Sequence, residues 1–462
     1  MAQPTTSHVS RLRRVLRWLL AIVLVLLLAA GATAGWWLYQ HRGDPVPDGT
    51  PARPGPVSVH PSISPVPSDA PQPTARGVAA ALRGPLRDRA LGTLTGQVSD
   101  PLTGKILWKQ KAGDARTPAS NAKILTASAA LLALPHDARI TTRVVLDSDG
   151  TAVIVGAGDP TLTSIDRADG SFYSDPARIA DLADQIKRSG RTVTGVAVDD
   201  SAFDGPDMQK RWDRRDIEGG DIAPLSALMV DGARVKPTEE YSPRSTESAK
   251  DAGRALADAL GVHATVTERK APGGADEIAA VQSAPLTVRV GDMMRFSDNV
   301  LAEFLAMEIS TAQGGPMSIE AGTEAVLSTL RKNSFDVSDV TLVDSSGLSY
   351  DDKVPAATLD EVMAAAAGDG HPLMRSLLDS LPVARGTGTL ADRFDPEATA
   401  GAGWVRAKTG TLTGVSSLTG IVQTVDGRVL SFALMSGGTS PADARPALDA
   451  LAGALRDCGC RS

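Results

Sequence analysis

The sequence predicts an α+β domain that is interrupted by a large insertion. Alternating strand patterns at Thr93–Val98 and Lys105–Lys109 precede a helical pattern at about Ser120–Leu134, and three further strands and a helix end the chain. Residues 160–285 have a different sequence pattern, in which short strands such as Val193–Val198 are mixed with polar stretches. Similar elements at both ends, with a different block between them, are typical of one domain that holds an insertion.

The composition is that of a globular protein. Of the 462 residues, 42% are hydrophobic and 22% are charged, which excludes a wholly disordered or fibrous chain. Two cysteines are too few for a disulfide scaffold. The net charge is -7, and seven Arg against three Asp in the first 76 residues leave -11 for the remainder. This acidic body argues against a nucleic-acid partner.

The chain begins with a basic head and an apolar run. Four arginines between residues 11 and 17 precede the uncharged stretch Trp18–Tyr39, which is long enough to span a bilayer as a helix. The arginines predict a cytoplasmic N-terminus and an extracytoplasmic body held by a membrane anchor. The alternative is a signal peptide cleaved after Ala34, and it exports the body as well.

A proline-rich linker follows the apolar run. Pro45–Pro73 holds ten of the chain's 30 prolines and lacks apolar periodicity, which predicts an extended spacer. The predicted organisation is a basic tip with an anchor or signal segment at 1–42, a linker at 43–76, the first part of the main domain at 77–158, an inserted block at 159–285, and the second part of the main domain at 286–462.

Periodicity predicts the elements of the body. A short helix is expected at Ala79–Ala90, and two strands flank the turn at residues 147–150. Further elements are expected as helices at Leu286–Met307, Ser318–Asn333, Thr358–Ala367 and Ala442–Arg456, and as strands at Ile140–Leu146, Ala152–Val155, Trp404–Leu412, Ser416–Thr424 and Arg428–Met435.

Three short motifs occur in order along the body. They are the only S-x-x-K, S-x-N and K-T-G of the chain, at Ser120-Asn121-Ala122-Lys123, Ser297-Asp298-Asn299 and Lys408-Thr409-Gly410. About one S-x-x-K is expected by chance in a chain of this length. All three in this order predict a serine enzyme.

The first motif suits a serine nucleophile with a lysine base. Ser120 and Lys123 lie three positions apart at a helix start, so their side chains share a face. A serine needs a base to take its proton, and Lys123 serves only when neutral, which requires burial or a neighbouring cation such as Lys408. Taken singly, Ser120 is also an ordinary helix N-cap and Lys123 an ordinary solvated residue.

The other two motifs suit proton transfer and substrate binding. The hydroxyl of Ser297 is placed to pass a proton from the base to a leaving amine, and the amide of Asn299 to bind a peptide group, with helix capping as the alternative for both. Lys408 and Thr409 are expected to point to opposite faces of a strand, unless a twist or Gly410 lets both reach the cleft.

With these motifs, residues 77–462 resemble the serine penicillin-binding proteins and serine β-lactamases. The resemblance is greatest to the D-alanyl-D-alanine carboxypeptidase/endopeptidase family, the class C low-molecular-mass group. It implies a β-lactamase/DD-peptidase-like domain, in which an antiparallel sheet has helices on both faces and a helical subdomain. The wide separation of Ser120 and Ser297 matches the large insertion of that family, as do stretches such as residues 156–162, 199–205, 344–349 and 388–390.

The resemblance also implies a role for each site residue. Ser120 would form the acyl-enzyme, Lys123 would be the base and Ser297 the proton relay. Asn299 would hold the substrate backbone, Lys408 and Thr409 would bind the terminal carboxylate, and the backbone N–H groups of Ser120 and Thr411 would form the oxyanion hole. The implied partners are peptidoglycan stem peptides and β-lactam antibiotics.

One position departs from the family pattern. Many members have Arg after Gly-Leu-Ser, where it can bind a carboxylate on the third residue of the stem peptide, and this chain has Tyr350. A phenol cannot form the bidentate pair of an Arg, so we expect this enzyme to prefer an amidated or different third residue, or to select weakly. Asp216, Glu218 and Asp221 are candidate partners for the stem-peptide amine, and a solvated acidic loop is the alternative.

Other chemistries find little support in the sequence. The chain lacks G-x-S-x-G, and its three body histidines are scattered, which argues against a Ser-His-Asp hydrolase and against a catalytic zinc site. No cofactor and no metal are expected. Two alternatives to the peptidase remain open, a serine β-lactamase with the same residues and a non-catalytic penicillin-binding cell-wall module.

Overall fold

The structure is a computed structural model that describes residues 69–166, 170–395 and 400–459. The predicted basic head, apolar run, candidate cleavage site and most of the linker lie outside these residues. Within the described ranges, no helix combines the length and the apolar character that crossing a bilayer requires.

Two five-stranded sheets and one two-stranded ribbon form the β structure of the described residues. Their strands are β1 Thr93–Asp100, β2 Lys105–Gln110, β3 Ala115–Arg116, β4 Thr141–Leu146, β5 Thr151–Val155, β6 Gly195–Asp199, β7 Thr267–Glu268, β8 Asp276–Gln282, β9 Val354–Pro355, β10 Val405–Leu412, β11 Val415–Gln423 and β12 Val429–Gly437.

Eleven α-helices lie in the described part of the chain. They are α1 Ala75–Leu82, α2 Ala122–Ala133, α3 Ile179–Ser189, α4 Arg215–Gly219, α5 Ser248–Leu260, α6 Leu286–Phe296, α7 Asn299–Ala312, α8 Ile319–Lys332, α9 Ala356–Ala367, α10 Ser376–Ser380 and α11 Pro441–Arg456.

The first sheet has helices on both faces. Its order is β10-β11-β12-β1-β2, and all neighbouring strands are antiparallel. Phe432 and Leu434 of β12 share a core with α1 and α11, whereas Ala433 and Met435 share a core with α2 and α9. Because successive side chains of a strand point to opposite faces, the helices cover both faces. The predicted α+β class and this arrangement are confirmed.

A helical subdomain packs around α2. Helices α2, α6, α7, α8, α9 and α10 contribute residues to one buried apolar core. Ala and Leu dominate α2, and ten of its twelve residues are buried, so the helix runs through the middle of this core. The chain segment that begins with Ser120 is therefore fixed on a helix that cannot easily move.

The second sheet belongs to the inserted segment. Its order is β7-β6-β5-β4-β8, in which β5, β6 and β7 are parallel neighbours and the other pairs are antiparallel. Helices α3 and α5 share its apolar core. The prediction placed β4 and β5 in the first part of the main domain, before residue 159. In the structure, β4 and β5 pair with each other, β4 also pairs with β8, and β5 also pairs with β6.

Two predicted helices differ from the observed ones for local reasons. Helix α1 starts at Ala75 rather than at Ala79, because Thr74 caps it by accepting a hydrogen bond from Gly77 N at 2.9 Å. The helical pattern predicted over Leu286–Met307 is divided into α6 and α7 at the second motif, where Ser297 to Asn299 were expected to begin or precede a helix. Ser297 between them is left-handed, with φ +59°, and Asp298 caps α7.

Candidate active site

The turn that carries Ser120 is anchored to the first sheet. Ser120 lies in a 3-10 turn directly before α2. Asn121 Nδ2 donates to Thr419 Oγ1 of β11 at 2.8 Å, and Ser417 Oγ of the same strand donates to the Pro118 carbonyl at 2.6 Å. Two side chains of one strand thus hold the residues on both sides of Ser120, the predicted nucleophile.

Two glycines allow the backbone to close around this turn. A Cβ at Gly347 would overlap the Ala119 carbonyl, and one at Gly410 would overlap Ser417 Oγ and lie 2.7 Å from the Pro118 carbonyl. Ala119 itself has a left-handed φ of +49°, a strained state for a residue with a side chain. Close packing from two sides therefore maintains the geometry of the nucleophile.

Lys123 is fully buried beside the serine. Its Nζ lies 3.1 Å from Ser120 Oγ, 2.5 Å from Asn299 Oδ1 and 2.7 Å from the Ser346 carbonyl oxygen. The structure therefore brings together the first motif and the asparagine of the second, which are 176 positions apart in the sequence.

Burial prepares Lys123 to act as a base. Removal from water disfavours its ammonium form and lowers its pKa to about 8, although nearby carboxylates, foremost Asp344 and Glu303, act in the opposite direction. The sequence left two causes open for a lowered pKa of Lys123, namely burial and a neighbouring cation. Burial is the main one, and the charge of Lys408 is not among the leading contributions.

Ser297 and Lys408 form a second serine–lysine contact. Lys408 is buried on β10, and its Nζ donates to Ser297 Oγ at 2.8 Å and to the Thr409 carbonyl at 2.7 Å. Burial, and secondarily the charge of Lys123, lowers the pKa of Lys408 well below its usual value. Two buried lysines thus flank the site, each with a serine hydroxyl within hydrogen-bond distance.

Thr409 lines the cleft, and Lys408 contacts Ser297 from beneath the cleft surface. The Thr409 hydroxyl donates to Thr389 Oγ1 at 2.8 Å, and Thr409 and Thr389 both line the cleft. The alternation of a strand alone would have separated the two neighbours. Gly410 follows them where β10 closely approaches the turn that carries Ser120.

The inserted segment contacts the second motif directly. Asn299 Nδ2 donates to the Asp221 carbonyl at 2.9 Å. Asp298 is fully buried, and it pairs with Arg234 at 2.8 Å and accepts from Tyr173 Oη at 3.0 Å. The insertion therefore supports the two residues that follow Ser297.

A cleft of about 1110 Å³ opens above these groups. Five of the seven predicted site residues line it, namely Ser120, Ser297, Asn299, Thr409 and Thr411. The other two, Lys123 and Lys408, are buried beneath its surface. Of the three predicted acidic partners in the insertion, Asp216 and Asp221 line the cleft, and Glu218 is not among the lining residues.

Sequence reasoning missed several polar residues around Lys123. Asp344 and Glu303 are buried near it, and Ser346 accepts its hydrogen bond. One signal for Glu303 was available, because it is a carboxylate in an otherwise apolar helical stretch, one turn after Asn299. The stretch 344–349 was matched to the family pattern without a role for its residues.

The fold and the site define a serine peptidase in which lysine, rather than histidine, stands beside the nucleophile. The sequence profile of the D-Ala-D-Ala carboxypeptidase 3 (S13) family matches residues 78–244 and 236–458, and the chain belongs to this family. The family resemblance inferred from the motifs is confirmed.

Individual relatives agree with the family. The chain is 48% identical to Carboxypeptidase DacB of Mycolicibacterium smegmatis over 95% of this chain and 96% of the relative. It is 30% identical to a D-alanyl-D-alanine carboxypeptidase of Actinomadura sp. over 77% and 80%. Among solved structures, penicillin binding protein 4 (dacB) of Haemophilus influenzae superposes with a TM-score of 0.67 at 20% identity, covering 83% of this chain and 98% of that one, which supports the fold.

Proposed function

We propose that this chain is a serine D-alanyl-D-alanine carboxypeptidase/endopeptidase that cleaves peptidoglycan stem peptides and is inhibited by β-lactams. One observation carries the proposal: a fully buried lysine lies 3.1 Å from the hydroxyl of the motif serine. Family membership and the names of the relatives support the substrate class.

The partners of Lys123 can satisfy its neutral form as well as its ammonium form. A neutral amine has two N–H groups and one lone pair. The Asn299 and Ser346 oxygens can only accept, so they take the two N–H groups. The lone pair is then left for the hydroxyl proton of Ser120, the third neighbour. This arrangement activates the serine as a nucleophile without histidine.

The proposed reaction uses these groups in turn. Ser120 Oγ attacks the carbonyl carbon of the D-Ala-D-Ala peptide bond while Lys123 takes its proton. The C–N bond breaks, the terminal D-Ala leaves with a proton relayed through Ser297, and the stem peptide remains esterified to Ser120. Water or an amine then takes the acyl group. The Lys408 contact orients the Ser297 hydroxyl for the relay.

Residues of the cleft bind the substrate. Asn299 holds the substrate backbone, and Thr409, with Lys408 beneath it, binds the terminal carboxylate. The backbone N–H groups of Ser120 and Thr411 stabilise the oxyanion, and such donors are typically worth about 3–4 kcal/mol of the barrier. Both residues line the cleft.

The proposal also includes the location of the enzyme. The four arginines and the apolar run Trp18–Tyr39 support export with attachment to the cell membrane. Protease digestion of intact cells without their wall should remove the body and spare a membrane-bound N-terminal fragment. A mature chain that begins at Gly35 in N-terminal sequencing would show cleavage after Ala34 instead.

The test of the function compares the full-length chain with its Ser120→Ala variant. A fluorescent penicillin should label the wild type covalently, and D-Ala should be released from a stem pentapeptide, with both activities lost in the variant. Ser128→Ala, which changes a buried serine of α2, is the matched control and should keep both. Absence of label on folded wild-type protein would refute the peptidase mechanism, and label lost within seconds would indicate a β-lactamase.

A further inference from the structure

A buried carboxylate lies behind the proposed base and has no role in the mechanism above. Glu303 is 1% exposed and lies on α7 one turn after Asn299, on the same side of the helix. Both of its carboxylate oxygens accept from the backbone N–H of Ser345 at 3.1 Å. The next residue, Ser346, accepts the hydrogen bond from Lys123 through its carbonyl oxygen.

The Ser345–Ser346 backbone is held between two helices. Thr126 of α2 donates to the Ser345 carbonyl at 2.6 Å, while Glu303 of α7 holds the N–H of the same residue. Asp344 supports the far side, where it accepts from the backbone N–H groups of Gly347 at 2.7 Å and Ser349 at 2.8 Å. The oxygen that meets Lys123 thus has a fixed position, and Glu303 is one of its supports.

We propose that Glu303 is a positioning residue of the active site, which holds the Ser345–Ser346 backbone against Lys123 and whose charge governs how readily Lys123 gives up its proton. This inference rests on the proposed function, because it assigns the control of that function's base.

The charges around Lys123 single out Glu303. Asp344, Glu303, Asp298 and Asp221 attract its ammonium, and Lys408 is the neighbouring cation. Burial, followed by repulsion from Asp344, raises the pKa of Glu303 to about 8. Asp298, by contrast, is held ionised by two arginines. Glu303 is therefore more easily protonated than Asp298.

The direction of the coupling follows from the sign of the charge. Ionised Glu303 favours the ammonium form of Lys123 and holds its proton to a higher pH, whereas a neutral side chain at position 303 does not. A glutamine there keeps the length and an accepting oxygen for Ser345 N but never ionises. The acidic limb of the acylation profile should therefore move to lower pH in Glu303→Gln.

The experiment measures the second-order rate constant for labelling of the full-length chain by a fluorescent penicillin, from about pH 5.5 to 9.5. We expect the midpoint of the acidic limb to fall by about half a pH unit or more in Glu303→Gln. Glu308→Gln on the same helix is the matched control. It breaks an ion pair with Arg289 that lies away from the site, so it should leave the midpoint unchanged.

A second variant keeps the inference testable if Glu303→Gln does not fold. Glu303→Asp keeps the charge but withdraws the carboxylate from Ser345, so labelling should slow about tenfold with an unchanged midpoint. An unshifted midpoint in Glu303→Gln, or an unchanged rate in Glu303→Asp, overturns the inference. Failure of the wild type to label would instead overturn the proposed function.

Discussion

The two five-stranded sheets have the same number of strands but contribute differently to the site. The first sheet supplies Lys408, Thr409 and Thr411 from its edge strand and holds the nucleophile turn through β11. The second sheet carries none of the seven predicted site residues. Its region reaches the site through the chain between β6 and β7, where Asp221 and Arg234 contact the second motif.

The position of each sheet explains why the first sheet supplies site residues and the second does not. An edge strand has one side free of strand partners, so β10 can face the cleft while β11 keeps it rigid. The strands of the second sheet are instead committed to an apolar core with α3 and α5. The part of the connecting segment that holds Asp221 and Arg234 does not contribute to that core and forms a wall of the cleft.

The largest effect is expected when a buried side chain of the first sheet is replaced. Lys408→Met keeps a similar length but deletes the amine that contacts Ser297. We expect the rate of penicillin labelling to fall by about 10³-fold, without loss of thermal stability, because an apolar replacement of a buried charge is often neutral or stabilising. Lys250→Met on α5, whose amine forms exposed ion pairs, is the control for the other region and should label normally.

The contact between the two regions should matter for stability. Asp298→Asn leaves Arg234 and Arg244 buried without their carboxylate, so the free energy of unfolding should fall by about 3–5 kcal/mol in chemical denaturation. Asp276→Asn, which breaks an exposed pair with Arg191, should change it little. Equal effects of the two variants would contradict a structural link through Asp298.

The same variant predicts a pH dependence. Although burial opposes it, the charges of Arg234 and Arg244 hold the pKa of Asp298 well below its ordinary value. A carboxyl with a lowered folded-state pKa stabilises the fold above its unfolded pKa of about 4 and loses that contribution as the pH falls. The stability difference between wild type and Asp298→Asn should therefore shrink in acid.

One added methyl group at Gly410 should disturb the close approach of β10 to the turn that carries Ser120. In Gly410→Ala the new Cβ overlaps Ser417 Oγ and presses on the Pro118 carbonyl. A displacement of the nucleophile by about 1 Å typically costs about 10²-fold in rate, and we expect a loss of that size in labelling. Gly437→Ala in β12, where nothing lies within 4 Å of the new Cβ, should label like the wild type.

The smallest expected effect concerns substrate choice. Tyr350 lines the cleft and is 48% exposed, and its hydroxyl lies 3.4 Å from the Thr413 carbonyl. Tyr350→Arg should gain about tenfold preference for a stem peptide with a free carboxylate on its third residue over the amidated peptide. A strong preference for the free carboxylate in the wild type would refute the selectivity expected from Tyr350.

Sequence motifs identified candidate site residues, whereas the sequence did not show which strands share a sheet. Short motifs indicate chemistry, and the structure places their residues in two hydrogen-bonded pairs, Lys123 with Ser120 and Lys408 with Ser297. Local alternation identifies a strand but not its partners, so the sequence did not show that β4 and β5 belong to the second sheet. Strand β4 pairs with β8, which lies more than 100 residues further along the chain.

By itself, the sequence determined the class of elements, the three motifs and the family, since each depends on residue identity and short spacing. The tertiary structure decided that Lys123 is buried and which groups its amine contacts. Lys123 becomes a candidate base because packing removes it from water and gives it two acceptors, Asn299 and Ser346, from distant segments. Desolvation depends on the surrounding fold, and no local spacing encodes it.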